Sequence, residues 1–153
     1  MADLYPVAGS KIYIGGVKAR QSTDFVAGDF AGESWAEIDG WSQCGAVGDV
    51  AELITEQLIN TSRDVKQKGT SNAGSMQNVF VKVASDPGQA AFLAAAAPAN
   101  KSNYAFKIEW ASGETWYFIA LAMTSQRAGG GANTIDKINA TVELNSNIVE
   151  DAA

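Results

Sequence analysis

One run constrains this chain more than any other. Residues 116–123, Trp-Tyr-Phe-Ile-Ala-Leu-Ala-Met, place no polar side chain on either face of a strand. A strand wetted on one side alternates apolar with polar residues, so this one must be covered on both faces. The cover is either a helix or second sheet of the same chain, or another subunit. Just before it, Tyr104, Phe106, Ile108 and Trp110 alternate with Ala105, Lys107 and Glu109, and Ser112-Gly113 supplies a tight turn. Together the two runs read as a hairpin. Further on, Ile138, Ala140, Val142 and Leu144 alternate with Lys137, Asn139, Thr141 and Glu143, the pattern of a half-buried antiparallel strand.

The remaining segments fit a mainly β chain. Residues 11–14 form a short strand closed by Gly15-Gly16, and residues 34–38 form another ended by Asp39-Gly40. Residues 51–59 suit a helical turn or a bulged strand, and the strand is preferred. Over residues 76–84, Val79, Val81 and Val83 fall on one face and Phe80 and Lys82 on the other. One helix is expected: Asp86 caps it, Pro87 takes its first position, residues 89–97 favour it and Pro98 stops it. Phe92 and Leu93 are its only large apolar side chains, so it should lie flat on a sheet. Residues 15–33, 60–75 and 125–133 read as loops. The middle one is long, polar and unable to order itself by burying apolar surface, so it would order by pairing with another chain. No repeat or linker divides the 153 residues, which read as one domain.

Chemistry is mostly excluded by what is missing. There is no histidine, which removes the usual base at neutral pH and the usual metal ligand. A single cysteine, Cys44, permits no intrachain disulfide and has no flanking cation to activate it. The glycines at 129–131 lack the following Gly-Lys-Ser/Thr of a phosphate cradle. Glu33, Glu37 and Asp39, or Asp49, Glu52 and Glu56, could offer carboxylates to a hard cation, but neither set follows the ligand order of a calcium-binding loop. The expectation is no enzyme, no metal and no cofactor. The four tryptophans serve either as a sugar platform or as core and interface anchors.

Charge is segregated. The chain carries 11 Lys and Arg against 17 Asp and Glu, a formal net charge of −6, which argues against gripping nucleic-acid phosphates. Residues 21–62 contain no cation, and Arg63, Lys66 and Lys68 follow at once, with Asp64 among them. This is either an ordinary solvated face or a face that repels anions beside a basic loop that seeks an acidic neighbour. No run is long and apolar enough for a membrane-spanning helix, and residues 1–6 do not read as a secretory signal, so a soluble chain with no membrane partner is expected.

From residue 60 to residue 149 the order of elements is distinctive. A polar loop at 60–75 precedes the β-run Val79-Phe-Val-Lys-Val83. The helix start Asp86-Pro-Gly-Gln-Ala-Ala-Phe-Leu93 follows, then the strand Tyr104-Ala-Phe-Lys-Ile108, a Ser-Gly turn, an aromatic strand, a Gly-rich loop and the closing strand Ala140-Thr-Val-Glu-Leu144. This order resembles the major tail tube proteins of long-tailed, lambda-like bacteriophages. The resemblance implies an antiparallel β-sandwich or flattened barrel flanked by one α-helix, with a long inter-strand loop. It implies hexameric rings stacked into a tube through which DNA leaves without specific binding. A tape measure protein would lie inside, with a tail terminator and baseplate or distal tail proteins at the ends. Localisation would be the virion, after assembly in the host cytoplasm. Glu33, Glu37, Asp39, Asp49, Glu52 and Glu56 are then candidates for an acidic lumen. Arg63, Asp64, Lys66 and Lys68 are candidates for an inter-subunit loop, and Trp110, Trp116, Tyr117 and Phe118 for core or interface aromatics. The alternatives are a tail terminator or head–tail joining protein that stops at one ring, and a carbohydrate-binding β-sandwich.

Overall fold

Seven strands follow one another across a single antiparallel sheet, yet its two edge strands are neighbours in sequence. The computed structural model describes residues 3–151. In chain order the elements are β1 (Lys11–Val17), β2 (Ala36–Glu37), β3 (Trp41–Gln43), β4 (Val50–Glu56), β5 (Val65–Asn72), β6 (Ser75–Val81), α1 (Pro87–Ala95), β7 (Tyr104–Glu109), β8 (Thr115–Arg127), β9 (Lys137–Leu144) and β10 (Val149–Asp151). The sheet order is β2-β1-β7-β8-β9-β6-β3, with β10 also on β8, while β4 and β5 form a separate two-stranded ribbon. Laid flat at about 4.8 Å per strand, the edges β2 and β3 would stand roughly 29 Å apart. Only residues 38–40 connect them, and four residue steps reach at most roughly 14 Å. The sheet must curl, and it forms a half-barrel with the helix inside the curl, as the mainly β reading with one helix anticipated.

Helix α1 plugs the half-barrel. The Asp86 carboxylate caps it, accepting from the Gln89 backbone N–H at 3.0 Å, and also accepts from the Asp39 N–H at 2.9 Å. Phe92 enters the core, its ring 6.1 Å from Phe80 and 6.3 Å from Phe106, and Phe106 stacks on Phe118 at 5.7 Å. Ile12, Ile14, Ile108 and Val142 complete this interior. The buried Gln89 amide spans the seam where the sheet's ends meet. It donates to Asp39 O at 2.8 Å and Val81 O at 2.7 Å, and it accepts from Val83 N–H at 3.0 Å.

The centre of the doubly apolar run is covered within the chain. Phe118 and Ala120 of β8 face the interior, while Ile119 faces a second cluster with Ala105, Phe25 and Phe30. Both phenylalanines come from the segment read as a loop. Its start extends β1 through Gly15-Gly16 to Val17, and a single 3-10 turn at Ala27–Phe30 sets Phe30 on Tyr117, ring centroids 5.3 Å apart. Asn147 holds this cover in place: its Oδ1 accepts from Phe25 N–H at 2.8 Å and its Nδ2 donates to Phe25 O at 3.0 Å.

One face is assigned and two other expectations change. In β6 it is Met76, Asn78 and Phe80 that point inward, while Val79 and Val81 are half-buried on the outside. The alternation holds, and the fold decides which face is inside: Met76 and Phe80 fill the interior beside the helix. Residues 65–72 are strand β5, not loop. The Gly-rich loop begins only after Arg127, because β8 runs on against β9 past residue 123.

Candidate assembly surface

The β4–β5 ribbon is an arm. Its strands pair with each other from Val50↔Asn72 to Glu56↔Val65 and with no strand of the sheet. Every residue of β4 is exposed, as is all of β5 but Gly69. An isolated two-stranded ribbon is marginally stable in water, and a row of exposed aliphatic side chains marks an interaction surface. Val50, Leu53, Ile54, Leu58 and Val65 are all about half exposed or more, and Ile59 is wholly exposed, at 106%.

Register divides the arm into two faces, since directly opposed residues share one. Ile54↔Gln67 and Glu56↔Val65 lie on one face, which Glu52 joins. Leu53↔Lys68 and Thr55↔Lys66 lie on the other. A bulge sits between the Ala51 and Leu53 pairs, with Gly69 and Thr70 opposing Glu52, and Ile54 packs over Gly69. One face is therefore acidic and apolar, the other basic. Among the described residues the ion pairs are Lys107–Glu109 and Arg127–Asp136, so none of the arm's charges has an ion-pair partner among them. At the tip, Thr61 N–H donates to Leu58 O in a turn that presents Leu58 and Ile59, with Arg63 and Asp64 beside it.

The acids singled out from sequence fall into separate places. Glu52 and Glu56 share the arm's acidic face. Asp49 stands at the arm's root, lining a polar cleft of about 440 Å³ with Arg20 and Asp24. Glu37 and Asp39 line a cleft of about 400 Å³ at the β2–β3 corner. Glu33 Oε2 accepts from Gly16 N–H at 3.0 Å. Of the aromatics, Phe118 is core, Tyr117 belongs to the outer cluster, and Trp110 packs against the core. Trp116 meets Trp110 edge-on at 5.3 Å and 77°, which is not a flat platform for a sugar ring. Cys44 Sγ donates to Gly45 O at 3.3 Å, and burial pushes its thiol up. On the outside of β1 and β7, Tyr13 donates to Glu109 Oε2 at 3.2 Å, and burial followed by the Glu109 charge pushes its phenol up to about 12.

Sequence reasoning missed the arm's exposed aliphatics. The available signal was the ambiguity of residues 51–59, where apolar residues follow neither a two-residue nor a 3.6-residue period cleanly.

The fold of this chain, a curled antiparallel sheet filled by one helix, is similar to those of components of phage tails and phage-like injection systems. A chain of the anti-feeding prophage (AFP) baseplate, solved by cryo-EM with 6-fold symmetrisation, matches with a TM-score of 0.73 at 10% identity, covering 99% of this chain and 98% of that one. A chain of the PVC sheath/tube terminator of an extracellular contractile injection system matches at 0.70 and 11% identity, covering 99% of each chain. The SPP1 tail tube protein matches at 0.64 and 13% identity, covering 97% of this chain and 80% of that one. No protein-family profile and no curated protein sequence matches the chain.

Proposed function

We propose that this chain is a structural tail component that polymerises as stacked rings into a tail tube, with the β4–β5 arm as the connector between copies. The observation that carries this reading is the arm itself: exposed aliphatic side chains, and charges with no ion-pair partner among the described residues, on a ribbon that pairs with no other described strand. Hexameric rings suit the 6-fold symmetrised assembly whose chain has the same fold. A tape measure protein inside, and a terminator and baseplate at the ends, would be its other partners.

The arm contributes nothing to the two buried clusters. Replacing residues 51–71 with a short Gly-Ser linker should therefore leave the Tm within a few degrees of the parent and abolish assembly. Negative-stain microscopy of the two proteins, each seeded with its initiator complex, is the measurement. Tubes from the armless protein would refute the connector role.

For the lumen, the acidic face of Glu52 and Glu56 is the first choice, with Glu33, Glu37, Asp39 and Asp49 as further contributors. Carboxylates along a narrow bore repel phosphates and keep DNA from adhering. Tails built with Glu52→Lys and Glu56→Lys together should eject DNA several-fold more slowly in a single-particle ejection assay. An unchanged rate would remove these two residues from the bore.

A second reading has its own support. A chain of a sheath/tube terminator and one of an AFP tube-terminating cap, the latter with a TM-score of 0.62 and 12% identity over all of this chain, share the fold. A terminator would give single rings in the same micrographs.

A further inference from the structure

The arm's tip needs a receptor, and this chain carries a matching one elsewhere. At the C-terminal end of α1, residues Ala96, Ala97 and Pro98 face Leu121, Ala122 and Met123 of β8 across a groove of about 500 Å³. The walls are mainly aliphatic, with Asn100 and Lys101 at their side, and Met123 is more than half exposed. A register shift between Ala122 and Thr124 against β9 turns Met123 outward, as bulges commonly re-aim a side chain. Methionine is also the side chain best able to mould itself to a partner. The protein's own tip does not fill this groove, because Ile59 is wholly exposed.

We infer that Leu58 and Ile59 at the arm's tip seat in the Ala97–Met123 groove of a second copy of this chain. The proposal rests on the polymer reading above and names the surface on which the connector lands. Charge supports the match. Lys101 lines the groove, and Glu143 of β9 lies directly opposite Leu121. The tip brings Asp64 for the lysine and Arg63 for the glutamate. None of these four groups has an ion-pair partner within the chain's described residues. Knob and groove are different surfaces, so the contact is head-to-tail: each copy gives one tip and receives one. Contacts of this kind propagate into closed rings or open helical stacks instead of ending at a dimer.

Two single-cysteine proteins test this, both in a Cys44→Ser background: one carries Ile59→Cys, the other Met123→Cys. They are mixed at equal concentration, seeded with the initiator complex, oxidised gently with diamide, and read on a non-reducing gel and by microscopy. The expected product is the mixed 59–123 disulfide, at least ten-fold over either homodimer. Tubes without the mixed disulfide would overturn the groove assignment and leave the polymer reading intact. The mixed disulfide without rings or tubes would uphold the contact and overturn the polymer. Absence of both would overturn both.

Discussion

A Gly88→Val variant is expected to lose about 3 kcal/mol or more of stability, with its Tm falling by roughly 10 °C. Gly88 is the second residue of α1 and is buried. A Cβ there would run into the carbonyl of Glu37 and the backbone of Ile38. These are backbone atoms, so no rotamer change can make room. Either the helix lifts out of the half-barrel or the β2–β3 corner moves, and both hold the seam on which closure of the sheet depends. Gly28→Ala is the matched control, because a Cβ at Gly28 meets nothing within 4 Å. Its Tm should stay within a degree or two. Equal losses in the two variants, measured by thermal unfolding, would show that the close approach at Gly88 carries no special weight.

Gln89→Leu is expected to cost about 3 kcal/mol despite its similar volume. The side chain makes three hydrogen bonds to backbone groups in separate segments, at Asp39, Val81 and Val83. Leucine would leave these without their partner in a buried site, and each such loss costs about 1–3 kcal/mol. Gln89→Glu separates hydrogen bonding from packing. Its carboxylate would face two carbonyl oxygens, which disfavours the charged form and raises the folded pKa above the unfolded value of about 4.3. The folded state then binds more protons than the unfolded one between those two values. Stability is retained below about pH 4.3 and falls by about 1.4 kcal/mol per pH unit as pH rises towards the folded pKa. Denaturant midpoints at pH 4.5 and 7.5 measure this. A flat profile for Gln89→Glu would mean that the amide does not bridge the seam.

Much of the fold was legible because it is written in short-range pattern. The alternations in β7 and β9, the hairpin through Ser112-Gly113 and the Asp86-Pro87 helix start all depend on residues a few positions apart. The segment holding Phe25 and Phe30 was not legible, since one 3-10 turn among glycines and aspartates has no period, and its role appears only where Ile119 needs a cover. Strand β5 was hidden for a related reason. Val65-Lys-Gln-Lys-Gly-Thr-Ser-Asn72 is polar on both faces and is a strand by virtue of its hydrogen bonds to β4. The cation-free segment was visible, yet its acids divide among a corner, an arm root and an arm face that residue order does not distinguish.

By itself, then, the sequence determined the composition of the strands and the single helix, the lack of histidine-based chemistry and the segregation of charge, all properties of neighbouring residues. Only the tertiary structure decided which surface stays uncovered. The run that looked most in need of a partner, residues 116–123, has its centre from Phe118 to Ala120 roofed by its own chain, while the ribbon from Val50 to Asn72 stands free. Burial is a relation between residues far apart along the chain, settled by where the sheet curls and what fills it, and no local periodicity carries that information.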